Sequence, residues 1–214
     1  DTLRLLMEKT ATEILARDWP KDCGGAEGLA GIGAALAKAY RCLGDRRLAE
    51  GSLRAWSTVR QEYLSDRKGW LRSGERIPWL APRAPWLADI TWYAMDTMEA
   101  LPGEKAAEAA EQALRLALDS LCQEDSLLRR DSLFEGNAMS VLCLARAARQ
   151  FGEPAYVSRA ARILAAMEAR RRETGAFCVT ARGIRSFFDI SFHVGTMGVA
   201  HAALFCMEQH KMND

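Results

Sequence analysis

Glu27 and Glu135 each stand immediately before a glycine that opens a predicted helix, Gly28 and Gly136. Two carboxylates in matched loops can shuttle protons, one accepting a proton and the other returning one. In a low-dielectric cleft, burial and neighbouring charge would raise and separate their pKa values. Read structurally, they are acids favoured by the partial positive charge of a helix start. His193 lies at another loop-to-helix boundary and offers general acid–base chemistry, or a structural imidazole bonded to backbone. Asp89 holds the matching place in a fourth loop, as a surface charge or as a contact for a peptide amide. Trp70, Trp79, Trp86 and Trp92 gather around a long irregular stretch. Trp70 and Trp86 are candidates to line a peptide groove, against a plain anchoring role in the core.

Metal chemistry has weaker support. The six cysteines, Cys23, Cys42, Cys122, Cys143, Cys178 and Cys206, contain no Cys-x-x-Cys pair. Most sit in apolar helical runs, where cysteine behaves as a small hydrophobe, and this predicts reduced thiols in a cytoplasmic setting. A site from Cys23, Glu27, Glu135 and His193 is conceivable, but no spacing demands it. The run Arg170-Arg171-Arg172 reads as the solvated end of a helix, or as a dock for an acidic peptide. His201, two turns beyond His193, reads as a buried and satisfied side chain.

The elements that must position these groups are helical. Leu29, Ile32, Leu36, Tyr40 and Leu43 step along one helical face, as do Ala107, Ala110, Leu114, Ala117 and Leu121. Breakers at Gly44-Asp45, Leu101-Pro102-Gly103 and Gly152-Glu153-Pro154 stop one run and start the next. Helices are expected near 2–17, 28–43, 45–65, 86–101, 104–122, 135–151, 154–172 and 192–209. Irregular stretches fall at 66–85 and 173–190. The second allows a small β-hairpin insert, with strands at 176–180 and 184–188 around Gly183.

Composition agrees with a single globular domain over 1–214. The 214 residues carry 29 Lys+Arg and 28 Asp+Glu, a formal charge of +1, which excludes a basic nucleic-acid footprint for the chain as a whole. An apolar content of 49% is enough to bury a core. No run of 18 uncharged apolar residues predicts a membrane span. The opening Asp1-Thr2-Leu3-Arg4 lacks the plan of a signal peptide, and the missing initiator Met hints at residues removed upstream.

The chain repeats. Gly28, Asp89, Gly136 and Gly195 mark four loop–helix starts, spaced by 61, 47 and 59 residues. Repeated helical pairs bury their faces against their neighbours, so four glycine-rich openings side by side would rim a concave site.

The motifs in these openings resemble the lanthionine synthetase C-like family, and most of all the C-terminal cyclase domain of class II lanthipeptide synthetases. Gly25-Ala26-Glu27-Gly28-Leu29-Ala30-Gly31-Ile32 is similar to the family's Gly-Phe-Ala-His-Gly-x-x-Gly-Ile box. Gln61-Glu62-Tyr63 and Gly69-Trp70-Leu71-Arg72 follow as a Tyr-Glu and an Asn-Trp-x-x-Leu-Arg do there. Ala84-Pro85-Trp86-Leu87-Ala88-Asp89 stands where the family has Ser-Trp-Cys-His-Gly. Asp131-Ser132-Leu133-Phe134-Glu135-Gly136-Asn137-Ala138 resembles Asp-Ser-Leu-Cys-His-Gly-Asn-Ala, and Phe188 to Leu204 resembles the family's terminal glycine box.

The resemblance implies an α/α toroid of helical hairpins with a zinc ion at its rim. That zinc activates a peptide thiol for addition to dehydroalanine or dehydrobutyrine. Its ligand positions fall here on Leu87, Phe134 and Glu135, and the first-box histidine falls on Glu27, so neither a zinc site of this type nor any cofactor is expected. Eight helices make about four hairpins, half of such a toroid. Half a ring leaves an apolar edge, to be continued by a longer chain or closed by a partner or a second copy.

The sequence therefore predicts an all-α, half-toroid, zinc-free cyclase-like protein that binds a dehydrated precursor peptide. It either promotes thioether formation or serves as a non-catalytic scaffold, working with a dehydratase of the kinase-lyase type or with itself. The competing classes are a carbohydrate- or terpenoid-type α/α-toroid fragment and a helical interaction module.

Overall fold

The computed structural model describes residues 2–25, 28–64, 69–70, 84–123, 128, 130–133, 136–177 and 196–211, with backbone alone for 84–86 and 209–211. These residues form an all-α protein: α1 (Thr2–Ala16), α2 (Leu29–Leu43), α3 (Arg46–Gln61), α4 (Ala84–Ala100), α5 (Lys105–Leu121), α6 (Asn137–Phe151), α7 (Pro154–Thr174) and α8 (Thr196–Lys211). No strand occurs among the described residues; Leu64 and Gly69 make an isolated bridge. The expected hairpin at 176–188 lies outside them from residue 178 onward.

The breakers act locally, as their chemistry requires. Gly44 ends α2 in the left-handed conformation, φ 74°, and its N–H donates to Tyr40 O at 2.8 Å. Asp45 then opens α3, its carboxylate accepting from Arg47 N at 3.0 Å. Gly152 and Glu153 repeat this between α6 and α7, with Pro154 in the first turn where its missing N–H costs nothing. Two-residue turns thus join α2 to α3 and α6 to α7 as helical hairpins, and four residues link α4 to α5.

One boundary departs from its expected place. α3 stops at Gln61 rather than near residue 65. A continued helix would send Tyr63 N–H to Val59 O. The Trp70 indole Nε1 takes that carbonyl instead, and Tyr63 N–H turns to Arg60 O at 3.4 Å. Leu64 and Gly69 exchange backbone bonds of 2.9 and 3.3 Å.

The chain forms two compact units, one from 1–82 and 89–117, the other from 83–88 and 118–214. In the first, α2 packs on α3 through small residues. A Cβ on Gly33 would lie 2.6 Å from Trp56 Nε1, and Ser52 Oγ donates to Gly33 O at 2.8 Å. Leu36, Ala39 and Leu48 pack with Ala11 of α1, while Ala37, Ala100, Leu101, Ala106 and Ala107 form a second cluster. Lys38–Asp96 at 2.5 Å and Arg46–Glu104 at 2.8 Å add ion pairs to the same unit.

In the second unit, α6 is the central helix. Val141, Cys143, Leu144 and Ala145 are wholly buried on it, and α7 and α8 pack against it. Val157, Ala160, Ile163 and Met167 face inward from α7, and Val199, Ala202 and Cys206 from α8. Buried Arg159 reaches from α7 to the carbonyls of Leu121 and Gln123, capping the end of α5 with a cation where the helix dipole favours one.

Candidate functional site

The loops that enter α2 and α6 have the same construction, 108 residues apart. The first helical N–H in each turns back seven residues: Leu29 N donates to Asp22 O at 2.9 Å, and Asn137 N donates to Arg130 O at 2.9 Å. The glycine before it is extended in both, so its backbone angles suit any residue. Space is what excludes a side chain. A Cβ on Gly28 would lie 2.0 Å from Gly24 O, and one on Gly136 would lie 2.3 Å from Ser132 O, four residues back in each case. Two independent contacts at the same offsets make these loops structural repeats of each other. The residues just before the two glycines are Glu27 and Glu135.

Inside the shared backbone path the chemistry differs. Position 23 is a buried thiol, and burial, then Glu62 and Asp22, push its pKa up to about 12. Such a group stays neutral, and the neutral thiol is a poor nucleophile and a poor metal ligand. The matching position is Asp131, wholly buried. Asp131 Oδ1 accepts from Asn137 Nδ2 at 2.9 Å and from Arg170 of α7. Asn137 also spans the loop, with Oδ1 accepting from Leu128 N at 2.8 Å and Nδ2 donating to Leu128 O at 2.9 Å. Arg170 Nη1 donates to the same Leu128 carbonyl at 2.8 Å. The Asp and Asn of the box around Gly136 thus tie Leu128 and Asp131 to the start of α6, and a guanidinium of α7 holds both.

The candidates fall in different places. Glu27, Glu135 and His193 lie outside the described residues. Asp89 is half-buried in the second turn of α4. Burial, then Asp89 and Asp96, raise the pKa of the Tyr93 phenol, so Tyr93 is a neutral hydroxyl on the same helix as Asp89. The backbone of Trp86 is in the first turn of α4. Trp70 takes the second of its two expected places, in the core: it is 1% exposed, its indole is bonded to Val59, and its ring meets Tyr63 edge-on at 4.9 Å.

Two further expectations change. The arginine run lies at the end of α7, as expected, but is only partly solvated. Arg170 is spent on Asp131 and Leu128, while Arg171 and Arg172 share Glu168 at 2.6 and 3.0 Å. His201 is exposed on α8, because the inward face of that helix is taken by Val199, Ala202 and Cys206.

A zinc ion of the kind the resemblance implies does not fit the donor set. Leu87, buried at 4% exposure, and Phe134 have no lone pair to offer, and the remaining carboxylate at 135 cannot make a three-ligand site. No three His, Cys, Asp or Glu side chains come together to hold a metal among the described residues. The five described cysteines are free thiols. Among the described residues, no helix is long and apolar enough to cross a membrane.

Sequence reasoning passed over Tyr93 and did not single out Arg170 within its run. Neither carries a local signal: Arg170 is one of three consecutive arginines, and its acid is 39 residues away. No family model matches the chain, and no curated protein or solved structure matches it.

Proposed function

We propose that this chain is a zinc-independent, lanthionine-cyclase-like protein that holds a dehydrated, cysteine-containing precursor peptide and promotes closure of its thioether rings. The observation that supports this is the duplicated loop. Two glycine-gated helix starts, alike in backbone bonds and close contacts, each have a glutamate next to the glycine. The boxes around them are those that resemble the cyclase family.

The reaction asks for proton transfer and proximity. A peptide thiol loses its proton to a carboxylate, its sulfur bonds to the β-carbon of a dehydroalanine or dehydrobutyrine, and the C=C π bond opens to an enolate. A proton returned to the α-carbon completes the thioether, with no net gain or loss. Glu27, Glu135 and His193 are the proton carriers in this scheme, and Asp89 and Trp86 contact the peptide. Without a metal to acidify the thiol, much of the acceleration comes from holding the two reacting atoms near attack distance. A kinase-lyase type dehydratase supplies the dehydro residues. Leu3, Leu5 and Leu6 on α1 and Met197, Leu204 and Met207 on α8 are exposed apolar side chains suited to such a partner or to a second copy.

The test is incubation with a dehydrated Ser/Thr/Cys-rich peptide, alone and with a dehydratase, with thiol alkylation read by mass spectrometry. Loss of alkylatable thiol in wild type, reduced in Glu27→Gln, Glu135→Gln or His193→Ala, is the expected result. Peptide binding with unchanged alkylation in every reaction reduces the protein to a scaffold. Binding of a sugar and not of the peptide moves it to the carbohydrate-type class.

A further inference from the structure

α8 carries its buried residues on one side and a line of exposed apolar residues on the other. Val199, Ala202 and Cys206 face inward, where α6 and α7 pack against the helix. Met197, Ala200, Leu204 and Met207 are exposed, the methionines at 57% each and the leucine at 61%. Steps of three, four and three residues set them in a single row, as the a and d positions of a heptad do. Isolated apolar side chains are ordinary on a surface, whereas a contiguous row marks a place where something docks. The row is also complementary to itself. Laid antiparallel about a two-fold axis level with Ala202, two copies of α8 set Met197 against Met207 and Leu204 against Ala200, each contact made twice. A two-fold interface requires such a patch, and the small Ala200 leaves room for Leu204. In the same register Glu208, exposed beside the row, meets the start of the other copy's helix at Thr196, where the dipole favours a carboxylate. Parallel pairing stacks Leu204 on Leu204, opposes two alanines and takes Glu208 away from that end.

We propose that this chain associates with a second copy of itself through α8, the two helices antiparallel about a two-fold axis at Ala202. The match of large to small side chains, and of Glu208 to a helix start, selects a second α8 as the occupant of the row. Self-association of this kind does not depend on the ring-closing reaction. Four apolar side chains a copy are far fewer than the roughly 20–30 residues of a stable interface. The dimer is therefore weak, with a Kd of about 10 µM to 1 mM.

Sedimentation equilibrium of the full chain, from about 5 µM to about 1 mM, is the test. Wild type is expected to pass from monomer toward dimer mass across that range. A single monomer mass throughout, or an open series of larger species, overturns the proposal. Leu204→Glu and Met207→Glu change exposed side chains, so each should keep the melting temperature of the wild-type monomer. Each should weaken association about tenfold or more, because it places an unpaired charge in the contact. Leu5→Glu, at an exposed leucine of α1, should leave association within about twofold of wild type. Loss of the dimer in Leu5→Glu with retention in Leu204→Glu moves the contact to α1 and overturns the assignment. Glu208→Gln should weaken the dimer about threefold at low salt, and an unchanged Kd overturns the register. Oxidative crosslinking in a Cys42→Ser background reads the direction of pairing. Ala200→Cys and Leu204→Cys chains, mixed, should crosslink mainly into mixed pairs. Pairs formed as readily by either variant alone show parallel helices and overturn the antiparallel arrangement. Wild type that stays monomeric but binds phosphatidylglycerol vesicles, with binding lost in Leu204→Glu, makes the row a lipid-facing surface and overturns self-association.

Discussion

Trp56 and Thr97, 41 residues apart, meet in a buried hydrogen bond: the indole Nε1 donates to Thr97 Oγ1 at 2.9 Å, and the same hydroxyl donates to Tyr93 O at 2.9 Å. One small side chain therefore satisfies an indole and an additional backbone carbonyl, and Gly33 leaves the space for the ring. Thr97→Val keeps the shape and removes both bonds. A buried indole N–H without an acceptor costs roughly 1–3 kcal/mol. Urea denaturation should show a loss of this size with an unchanged m-value, and Thr97→Ser should recover most of it. Equal stability of Thr97→Val and wild type would show that the bond is not needed.

The glycines divide into two mechanical classes. Gly28→Ala and Gly136→Ala drive a methyl into a backbone oxygen at 2.0 and 2.3 Å, which no rotamer relieves. Each should cost roughly 2–4 kcal/mol and disorder the entry to its helix. Gly44→Ala meets nothing within 4 Å and is opposed only by its φ of 74°, so its cost should be about 1–2 kcal/mol. Thermal melts of the three variants check the ranking, and a Gly44→Ala as damaging as Gly136→Ala would refute it.

Cys23 and Cys42 should differ in reactivity. Cys42 is exposed, whereas Cys23 is 3% exposed with its thiol raised from its ordinary value near 9 to about 12. At pH 8, iodoacetamide should modify Cys42 in the folded protein and leave Cys23 intact until denaturant is added. The same shift links to stability. A folded pKa above the unfolded one stabilises fully below about 9, and the stabilisation is lost as pH rises toward about 12. Cys23→Ala should therefore lose less stability than wild type between pH 9 and pH 10.5, measured by urea midpoints. Parallel declines in the two proteins would count against it.

Glu168 gives the opposite sign. Hydrogen bonds from Arg171 and then Arg172 lower its pKa from 4.5 to about 2. A depressed carboxylate stabilises the fold above its unfolded pKa, and that stabilisation disappears as pH falls through the folded value. The window is thus about pH 4.5 down to about pH 2. The group is solvent-exposed, so the effect should be small and should shrink in 1 M salt. The difference in melting temperature between wild type and Glu168→Gln should close across that window, and a constant difference would contradict the pairing.

The loop around Gly136 shows how far the residues alone could be read. Its motif was legible as a helix opening, because glycine, a preceding carboxylate and a following apolar run are signals contained within a few residues. The roles of its polar members were not legible. Asp131 and Asn137 read as parts of a chemical box, and the structure turns both inward to fold the loop. Trp70 likewise reads either as a groove residue or as a core anchor. What sequence inspection lacked was the competition for one carbonyl, Val59 O, which Trp70 wins from Tyr63 and so ends α3 early.

The residues by themselves determined the all-α class and nearly every helix boundary. Those depend on caps, breakers and a 3.6-residue apolar period, forces that act within a turn or two of the chain. Tertiary structure alone decided which of Arg170, Arg171 and Arg172 is spent on a buried acid, and that His201 faces solvent while Cys206, five residues on, does not. Identical neighbours in sequence point 100° apart around a helix. Which of them meets the acid is settled only when that helix packs against a loop 39 residues away.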